Sequence, residues 1–334
     1  MIRLISMLIA IALIWSVYWA VGSSGMTSAI ESWLEDRRAE GWIAEASEIR
    51  THGFPVDFDT TIEDLSLADP ETGVAWDTPE FRISAQSYRP WYLEAFWPEA
   101  QRLATPLARY EIKSKDMRAA LVVEPRNNLA TERLSFSVAD LSILPEGSVQ
   151  PTRASAVELD AERLPDTQAR YQVTLTADGF APALDWRTRI DPGGNLPDTL
   201  DALSADMTIT FDQSWGLDAI ERARPQPTAV DLRLAEARWG RLELQLAGEL
   251  EIDTMGQPTG QITVKARNWR EILRLSVESG ALPAGLGETI EDGLSLLAQL
   301  AGNPQTLDIP LRFRNERVFL GPVPLGPAPI LRLR

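Results

Sequence analysis

The stretch Arg241–Arg267, RLELQLAGELEIDTMGQPTGQITVKAR, decides the fold of this chain. A leucine or isoleucine occupies every second position from Leu242 to Ile252, with Gly248 as the exception, and mostly glutamate and glutamine lie between them. Such alternation is typical of a β-strand that buries one face and exposes the other. The chain then turns at Asp253–Gly256, and the returning segment places three apolar residues on the same face: Ile262, Val264 and Ala266. We predict an antiparallel hairpin in which Gly248 allows a bend.

The same period of two recurs in short runs upstream of this hairpin, separated by breaks that carry proline or glycine. In the first run the alternation shifts phase at Asp64, as a β-bulge would make it. No helical pattern long enough for a parallel crossover lies between the runs, so we predict a mainly β (β-rich α+β) fold with one large, curved antiparallel sheet. The runs are Val56–Ile62, Phe81–Ala85, Met117–Val123, Leu134–Val138, Tyr171–Leu175, Leu184–Ile190, Met207–Phe211 and Val230–Leu234.

Three segments carry a helical pattern instead. In residues 24–40, apolar residues recur with helical spacing from Met26 to Leu34, and Gly41 is a natural residue to follow the helix. The other two helices are predicted near the C-terminus, at about 268–278 and about 285–301. We expect these few helices to cover only part of so wide a sheet.

The C-terminal end predicts one more hairpin, with arms Leu307–Phe313 and Val318–Leu320 and a turn at Asn315-Glu316. The tail that follows, Gly321–Pro327, is too rich in proline for a central strand, because proline cannot donate a ladder hydrogen bond.

The N-terminal run Leu4–Val21 is apolar and contains no charged residue. As a helix, 18 residues rise about 27 Å, which is close to the ~30 Å hydrocarbon core of a bilayer. The rings of Trp15, Tyr18 and Trp19 lie near the far end of the run, where amphipathic aromatic side chains meet lipid headgroups. We predict that this run anchors the chain in a membrane.

Orientation follows from charge, since Arg3 is the one charged residue before Glu31. A positive N-terminal end favours the cytoplasm, so the rest of the chain would be exported and the protein would be a single-pass inner-membrane protein with its bulk in the periplasm. A cleaved signal peptide is the alternative, because Ala20 and Gly22 are small residues at the positions that a signal peptidase reads. The run is longer than a usual h-region of ~7–15 residues, which favours the uncleaved anchor.

These patterns divide the chain into three parts. Residues 1–22 are the cytoplasmic start and the transmembrane anchor (or signal peptide), 23–42 form an amphipathic connecting helix, and 43–334 form a β-rich periplasmic domain. Proline and glycine are concentrated near 191–200, where this domain would divide if it has two sub-domains.

The composition excludes several classes of protein. Hydrophobic residues at 44% and charged residues at 24% are typical of a folded chain. Cysteine is absent, which excludes disulfides and thiolate sites. The net charge is −16, or −17 after the anchor since Arg3 alone is charged before it, which argues against nucleic acid as a partner and against docking on anionic lipid through a basic patch.

Motifs for catalysis or metal binding are also missing from the sequence. His52 is the only histidine, so a catalytic triad or a multi-histidine metal site would depend on it alone. Asp57, Asp59 and Glu63 alternate with apolar residues and would form the solvent face of a strand, and the spacing of a calcium loop is absent. We predict a protein that is not an enzyme and has no cofactor or metal. The alternative is a hydrolase of envelope polymers whose paired carboxylates meet only in the folded chain.

Several short motifs, taken in order, resemble one protein family. They are Gly53-Phe54-Pro55, Asp69-Pro70-x-x-Gly73 with Trp76, Tyr88-x-Pro90, and the closing Leu320-Gly321-Pro322-Val323-Pro324-Leu325-Gly326-Pro327. They are similar to the domain of unknown function 2125, a family of membrane-anchored proteins of Gram-negative bacteria, over about residues 26–331. Glu316, where such hairpins more often have glycine, and a middle third without a matching motif depart from the pattern. The resemblance implies no activity and no catalytic residue.

The long strands and closing helices also resemble AsmA-like exported proteins, which are linked to lipid traffic and outer-membrane homeostasis. The functional hypothesis is therefore a sheet whose apolar face binds or conveys lipid or another apolar envelope component. Phospholipid and envelope proteins are the partners to consider, and a closed sandwich or a purely structural or interaction module are the alternatives. Two sets of residues are candidates: an apolar ligand groove of Leu242, Leu244, Leu246, Ile262 and Val264, and an aromatic lip of Tyr88, Trp91, Tyr92, Phe96 and Trp97.

Overall fold

The computed structural model describes residues 2–165, 167, 169–217, 219, 224–280, 282, 284–300, 306–321 and 323–333. Strands dominate it, which confirms the predicted fold class. The helices are α1 (Ile2–Ala39), α2 (Leu184–Ile190), α3 (Trp269–Glu278) and α4 (Ala284–Leu300). The strands are β1 (Ile43–Glu45), β2 (Glu48–His52), β3 (Asp57–Asp69), β4 (Val74–Gln86), β5 (Arg89–Phe96), β6 (Ala100–Ala104), β7 (Arg109–Glu124), β8 (Ala130–Pro145), β9 (Thr152–Arg163), β10 (Arg170–Asp178), β11 (Ala202–Phe211), β12 (Pro227–Trp239), β13 (Leu242–Ile252), β14 (Pro258–Arg267), β15 (Thr306–Arg314), β16 (Arg317–Leu320) and β17 (Val323–Pro327).

All seventeen strands belong to one antiparallel sheet in which neighbours along the chain are neighbours in space. At two places in the sheet, two short strands lie end to end along the same neighbour. Strands β1 and β2 both pair with β3, and β5 and β6 both lie between β4 and β7. Short turns impose this meander, because they can only reverse the chain onto an adjacent antiparallel strand. In the turn after β3, the Asp69 carboxylate accepts hydrogen bonds from the Glu71 amide (2.9 Å) and the Thr72 hydroxyl (2.7 Å). The sheet continues across residues 191–200, since β10 pairs directly with β11.

Strand β3 shows how local backbone conformation sets the buried face. Phe58, Thr60 and Ile62 are buried, but the next buried residue is Leu65, so the inward phase changes between them. The change occurs at Asp64, whose φ of 49° is left-handed, while the register with β4 is unaltered. The phase shift predicted at Asp64 is therefore confirmed, but the predicted β-bulge is wrong, because neither strand gains a residue relative to the other.

The strand predicted at Leu184–Ile190 is wrong, because this segment forms helix α2. Seven residues are too few to distinguish a period of 2 from one of 3.6 by hydrophobicity alone. The charged residues favour a helix here. Asp185 lies in the first turn and Arg187 and Arg189 lie in the last, where each has the sign that stabilises the helix dipole. Trp186 stacks on Trp239 of β12 with ring centroids 6.1 Å apart.

Helix α1 is a single helix of 38 residues, so the apolar run and the predicted connecting helix are continuous. The serine pair between them does not break the helix, and the Ser23 hydroxyl donates to the Ala20 carbonyl at 3.1 Å. The helix ends as predicted: Gly41 has a φ of 92°, and the Trp42 amide donates to the Arg37 carbonyl at 3.0 Å. Within the described residues, α1 is the helix that is long and apolar enough to cross a membrane.

The C-terminal end also agrees with the pattern of the sequence. Asn315 and Glu316 form the turn between β15 and β16 with φ values of 50° and 60°. Glutamate therefore occupies a left-handed position that glycine usually takes in hairpins. The proline-bearing tail forms β17, which pairs with β16 alone and is an edge strand, as proline requires.

The accessible surface of the chain is larger than that of a compact monomer. It measures 20087 Å², whereas a compact monomer of 37.0 kDa is expected to expose about 13,600 Å². The N-terminal part of α1, whose apolar side chains are exposed, contributes to this excess.

Candidate functional site

The strand registers align apolar side chains into one unbroken row from β4 to β15. In an antiparallel ladder, directly opposed residues point to the same face of the sheet, so the row defines an apolar face. At ~4.8 Å between strands it extends for about 50 Å. Its members, each opposite the next, are Ile83, Ala95, Ala119, Phe136, Leu159, Leu175, Ala205, Ala235, Leu246, Val264 and Ile309.

The residues one position along each strand form the opposite, charged face. Apart from Phe96, every member of the corresponding row is polar or charged. Those members are Arg82, Phe96, Arg118, Ser137, Glu158, Thr176, Ser204, Glu236, Gln245, Lys265 and Asp308. The two faces thus differ in polarity along the whole sheet, and a slip of one residue in any strand would exchange them.

Ion pairs between exposed side chains keep the charged face in water. Arg133 and Glu162 pair across β8 and β9 at 2.6 Å, and Lys113 pairs with Glu111 within β7 at 2.8 Å. The hydrogen bond from Lys113 lowers the pKa of Glu111. Exposed pairs of this kind contribute little to stability, because water screens them. Their consequence is that this face stays charged and hydrated.

Helices cover the apolar face at its two ends. At the first strands, Leu34 of α1 packs with Ala44, Ile62 and Leu65 in a buried cluster. At the last strands, α3 and α4 pack on β14 and β15 in a second cluster, whose buried members are Ala266, Trp269, Leu273, Ile290, Leu294 and Leu307.

The apolar face of β7 to β11 is covered only in part. The segment after β11 lies at one end of it, where the Leu217 amide donates to the Asn128 carbonyl at 3.1 Å and Trp215 packs on Phe211. Val138 and Tyr171 are buried on this face, whereas Phe136, Leu159, Leu175 and Met207 are half-buried. Contiguous apolar surface that is only partly covered is a candidate for interaction. The sequence contained each alternating run, but the alignment of their apolar residues depends on strand registers, which no single run specifies.

The predicted groove residues lie together on the apolar face. Leu244 faces Ala266 and Leu246 faces Val264 across the β13–β14 ladder, with Ile262 opposite Gly248, while Leu242 lies at the start of β13. Leu244 and Val264 also line a cavity of about 240 Å³ beneath α3 and α4. Its lining is almost wholly apolar and includes Trp269, Leu273 and Ile309. An apolar cavity of about 150 Å³ in another protein binds benzene, so this one can accept part of a hydrocarbon chain.

The five aromatic residues of the predicted lip do not form one cluster. Trp97 packs on the apolar face, with its ring centroid 5.2 Å from that of Phe81 and 6.1 Å from that of Phe136. Tyr92 donates a hydrogen bond to Glu94, and Phe96 lies under the Arg82 guanidinium at 4.3 Å, so both belong to the charged face. The remaining two members, at the β4–β5 turn, are exposed: Tyr88 and Trp91.

His52 is the last residue of β2, where it pairs with Asp59 on β3. Among the described residues, no group of three or more histidine or acidic side chains could hold a metal ion.

Comparison with known proteins places the chain in a family context. A family model described as "Uncharacterized protein conserved in bacteria (DUF2125)" matches residues 19–329. No curated protein and no solved structure matches the chain.

Proposed function

The chain belongs to the DUF2125 family of uncharacterized bacterial proteins, and from this premise we propose that it is a membrane-anchored periplasmic protein that binds the acyl chains of lipids. The binding surface is the apolar face between the two helix-covered ends. The protein has no catalytic role in this proposal; it holds or conveys apolar cargo.

The observation that carries the proposal is the unbroken row from Ile83 to Ile309 on an open face of the sheet. Water in contact with such a row is costly, and an acyl chain that replaces it gains about 0.8 kcal/mol for each buried CH₂ group. For a lipid that leaves a bilayer the acyl chain is already out of water, so the gain comes from covering the apolar row of the protein, roughly 25 cal/mol for each Å² of apolar surface removed from water.

Membrane anchoring supports this choice of ligand. The apolar part of α1 holds the first strands of the sheet next to a bilayer, where acyl chains are the most abundant apolar molecules. The charged face is then directed to water, where its basic and acidic side chains stay hydrated.

The carboxylates support a non-catalytic role. A general acid in a glycosidase-like pair needs a raised pKa. Among the described residues, the carboxyl groups with displaced pKa values are shifted the other way: hydrogen bonds from Thr72, Lys113 and Arg163 lower the pKa of Asp69, Glu111 and Glu124, respectively.

Lipid analysis of the purified full-length protein tests the proposal. We expect phospholipid to co-purify with the wild type and to be lost in Leu175→Asp, because the carboxylate places a charge in the middle of the apolar face. Thr176→Asp, at an exposed position on the opposite face of the same strand, is the matched control and should retain the lipid. Circular dichroism should show the same strand content in both variants, since Leu175 is only half-buried and the fold should survive its replacement.

A wild type free of lipid, or equal lipid content in the two variants, would contradict the proposal. A protein bound to the apolar face in place of lipid would instead make the sheet an interaction module.

A further inference from the structure

The junction between α1 and the sheet determines how deep the sheet lies in the membrane. One stripe of α1, spaced as i, i+3, i+4 and i+7 from Trp15 to Gly22, faces the first strands. Trp19 stacks on Phe58 with ring centroids 6.0 Å apart, and it packs edge to face with Phe54 with ring centroids 5.4 Å apart. A Cβ atom on Gly22 would lie 2.5 Å from the Phe58 ring, so only glycine allows this close approach.

The sheet end at this junction, here called the tip, consists of residues 53–56 between β2 and β3 and residues 87–91 at the β4–β5 turn. Three carbonyl groups, two in the tip and one on the adjacent Asp57, accept hydrogen bonds from side chains of α1. The Trp15 indole donates to the Pro55 carbonyl at 2.8 Å, the Tyr18 hydroxyl to the Ser87 carbonyl at 2.6 Å, and the Trp19 indole to the Asp57 carbonyl at 2.9 Å.

The Ser87 side chain satisfies a further carbonyl inside the tip. It is fully buried, and its hydroxyl donates to the Val56 carbonyl at 2.6 Å. Non-helical backbone is tolerated at membrane depth only where protein partners replace water in this way.

The apolar part of α1 below the tip is too short to span a bilayer. Arg3 is charged and belongs near the cytoplasmic headgroups if α1 spans the membrane, and from Arg3 to the first contact at Trp15 the helix rises about 18 Å at 1.5 Å per residue, against ~30 Å of hydrocarbon. Because the long Arg3 side chain reaches the headgroups from slightly below them, the tip then lies about 10 Å inside the opposite hydrocarbon boundary, the depth that interfacial elements reach.

The exposed side chains of the tip suit that position. Phe54, Val56, Tyr88 and Trp91 are 56%, 45%, 54% and 38% exposed, respectively. Arg89, the one charged residue between 53 and 56 or between 87 and 91, has a long side chain that can reach the headgroup phosphates.

We propose that the tip is inserted into the outer, periplasm-facing leaflet of the bilayer, with α1 fixing its depth. Leu93, Leu121 and Leu134, which continue the apolar face beside the tip, then adjoin the acyl chains of that leaflet. This deepens the proposed function, on which it rests only for the consequence that lipid can pass from the leaflet to the sheet without crossing water.

Spin labels on the full-length protein in phospholipid vesicles test the insertion. The chain has no cysteine, so Phe54→Cys, Tyr88→Cys and Thr72→Cys each provide a single labelling site. Thr72 lies at the far end of β3, about 40 Å from the tip at ~3.4 Å per residue, and is the matched aqueous control. We expect labels at 54 and 88 to be shielded several-fold from a water-soluble nickel relaxant and accessible to oxygen, while the label at 72 shows the reverse.

Nickel accessibility at 54 and 88 equal to that at 72, or shielding of only one of the two, would overturn the proposal. This result is distinguishable from failure of the proposed function. Lipid on the apolar face with an aqueous tip contradicts only the insertion, whereas a shielded tip on a lipid-free sheet contradicts only the binding.

Discussion

At the scale of single residues, two glycines allow β13 and β14 to approach closely on the apolar face. Gly248 has a φ of 150°, and a Cβ there would lie 2.2 Å from the Gln261 carbonyl oxygen of the partner strand. Gly260 has a φ of 146° and the same conflict with Glu249 at 2.3 Å. The bend expected at Gly248 thus corresponds to a backbone conformation and a contact that other residues cannot share.

Replacing Gly248 should therefore be costly. Gly248→Ala combines an unfavourable φ with overlap of backbone atoms, so we expect a loss of about 2 kcal/mol or more in the free energy of unfolding. Gly293→Ala in α4, where nothing lies within 4 Å of the added methyl group, should instead stabilise the helix by roughly 0.5–1 kcal/mol. Urea denaturation of both variants measures the difference, and a neutral Gly248→Ala would show that the close approach is not required.

Residue identity predicted local features well and contacts between elements poorly. Gly41, Asp64 and the turn at Asp69 behave as their chemistry dictates. The sequence predicts that Trp15, Tyr18 and Trp19 meet lipid headgroups. In the structure their N–H and O–H groups also donate hydrogen bonds to backbone carbonyls at the tip of the sheet. That pairing depends on which carbonyls the fold brings to the helix, and no local pattern encodes it.

At the scale of elements, each strand contacts only its neighbours, so stability is local along the sheet. Helices α3 and α4 cover β13 to β15, and Leu273 of α3 is buried in the cluster between these helices and the sheet. The strands at the other end of the sheet, β1 and β3, are covered instead by α1. Loosening one covering helix should therefore leave distant rows unaffected, as in repeat proteins where neighbours supply the stabilising contacts.

Leu273→Ala tests this independence. We expect a loss of about 2–5 kcal/mol, as for other buried leucines, with faster amide hydrogen exchange in β13–β15 and unchanged exchange in β3 and β4. Arg274→Ala, on the exposed side of the same helix, is the control and should change neither region. Faster exchange throughout the sheet would show that the rows unfold as one unit.

Most elements were predictable because their periods are strong over many residues. The error at Leu184–Ile190 and the separation of α1 into two helices both concern segments in which hydrophobicity is a weak signal: a seven-residue run and a polar link. There, end charges and backbone hydrogen bonds decide the structure.

At the scale of the molecule, the antiparallel order of the sheet follows from its short turns, but its openness does not. An alternating strand serves equally well in a closed sandwich and in an open sheet, since both bury one face. The half-buried row residues Phe136, Leu159 and Leu175 favour the open arrangement in our proposal, whereas the buried Val138 and Tyr171 on the same face are what a closed core would show. The candidate groove predicted on β13 and β14 is therefore one end of a longer apolar face.

The most direct measurement of lipid binding on that face uses a photoreactive residue in living cells. Leu159 and Glu158 are adjacent on β9 and point to opposite faces, the apolar and the charged one. With p-benzoyl-phenylalanine at position 159, irradiation should crosslink phospholipid to the full-length protein, detected by mass spectrometry. The same residue at position 158 should give no lipid crosslink. Lipid crosslinks at both positions alike, or at neither, would contradict a sheet that binds acyl chains on its apolar face.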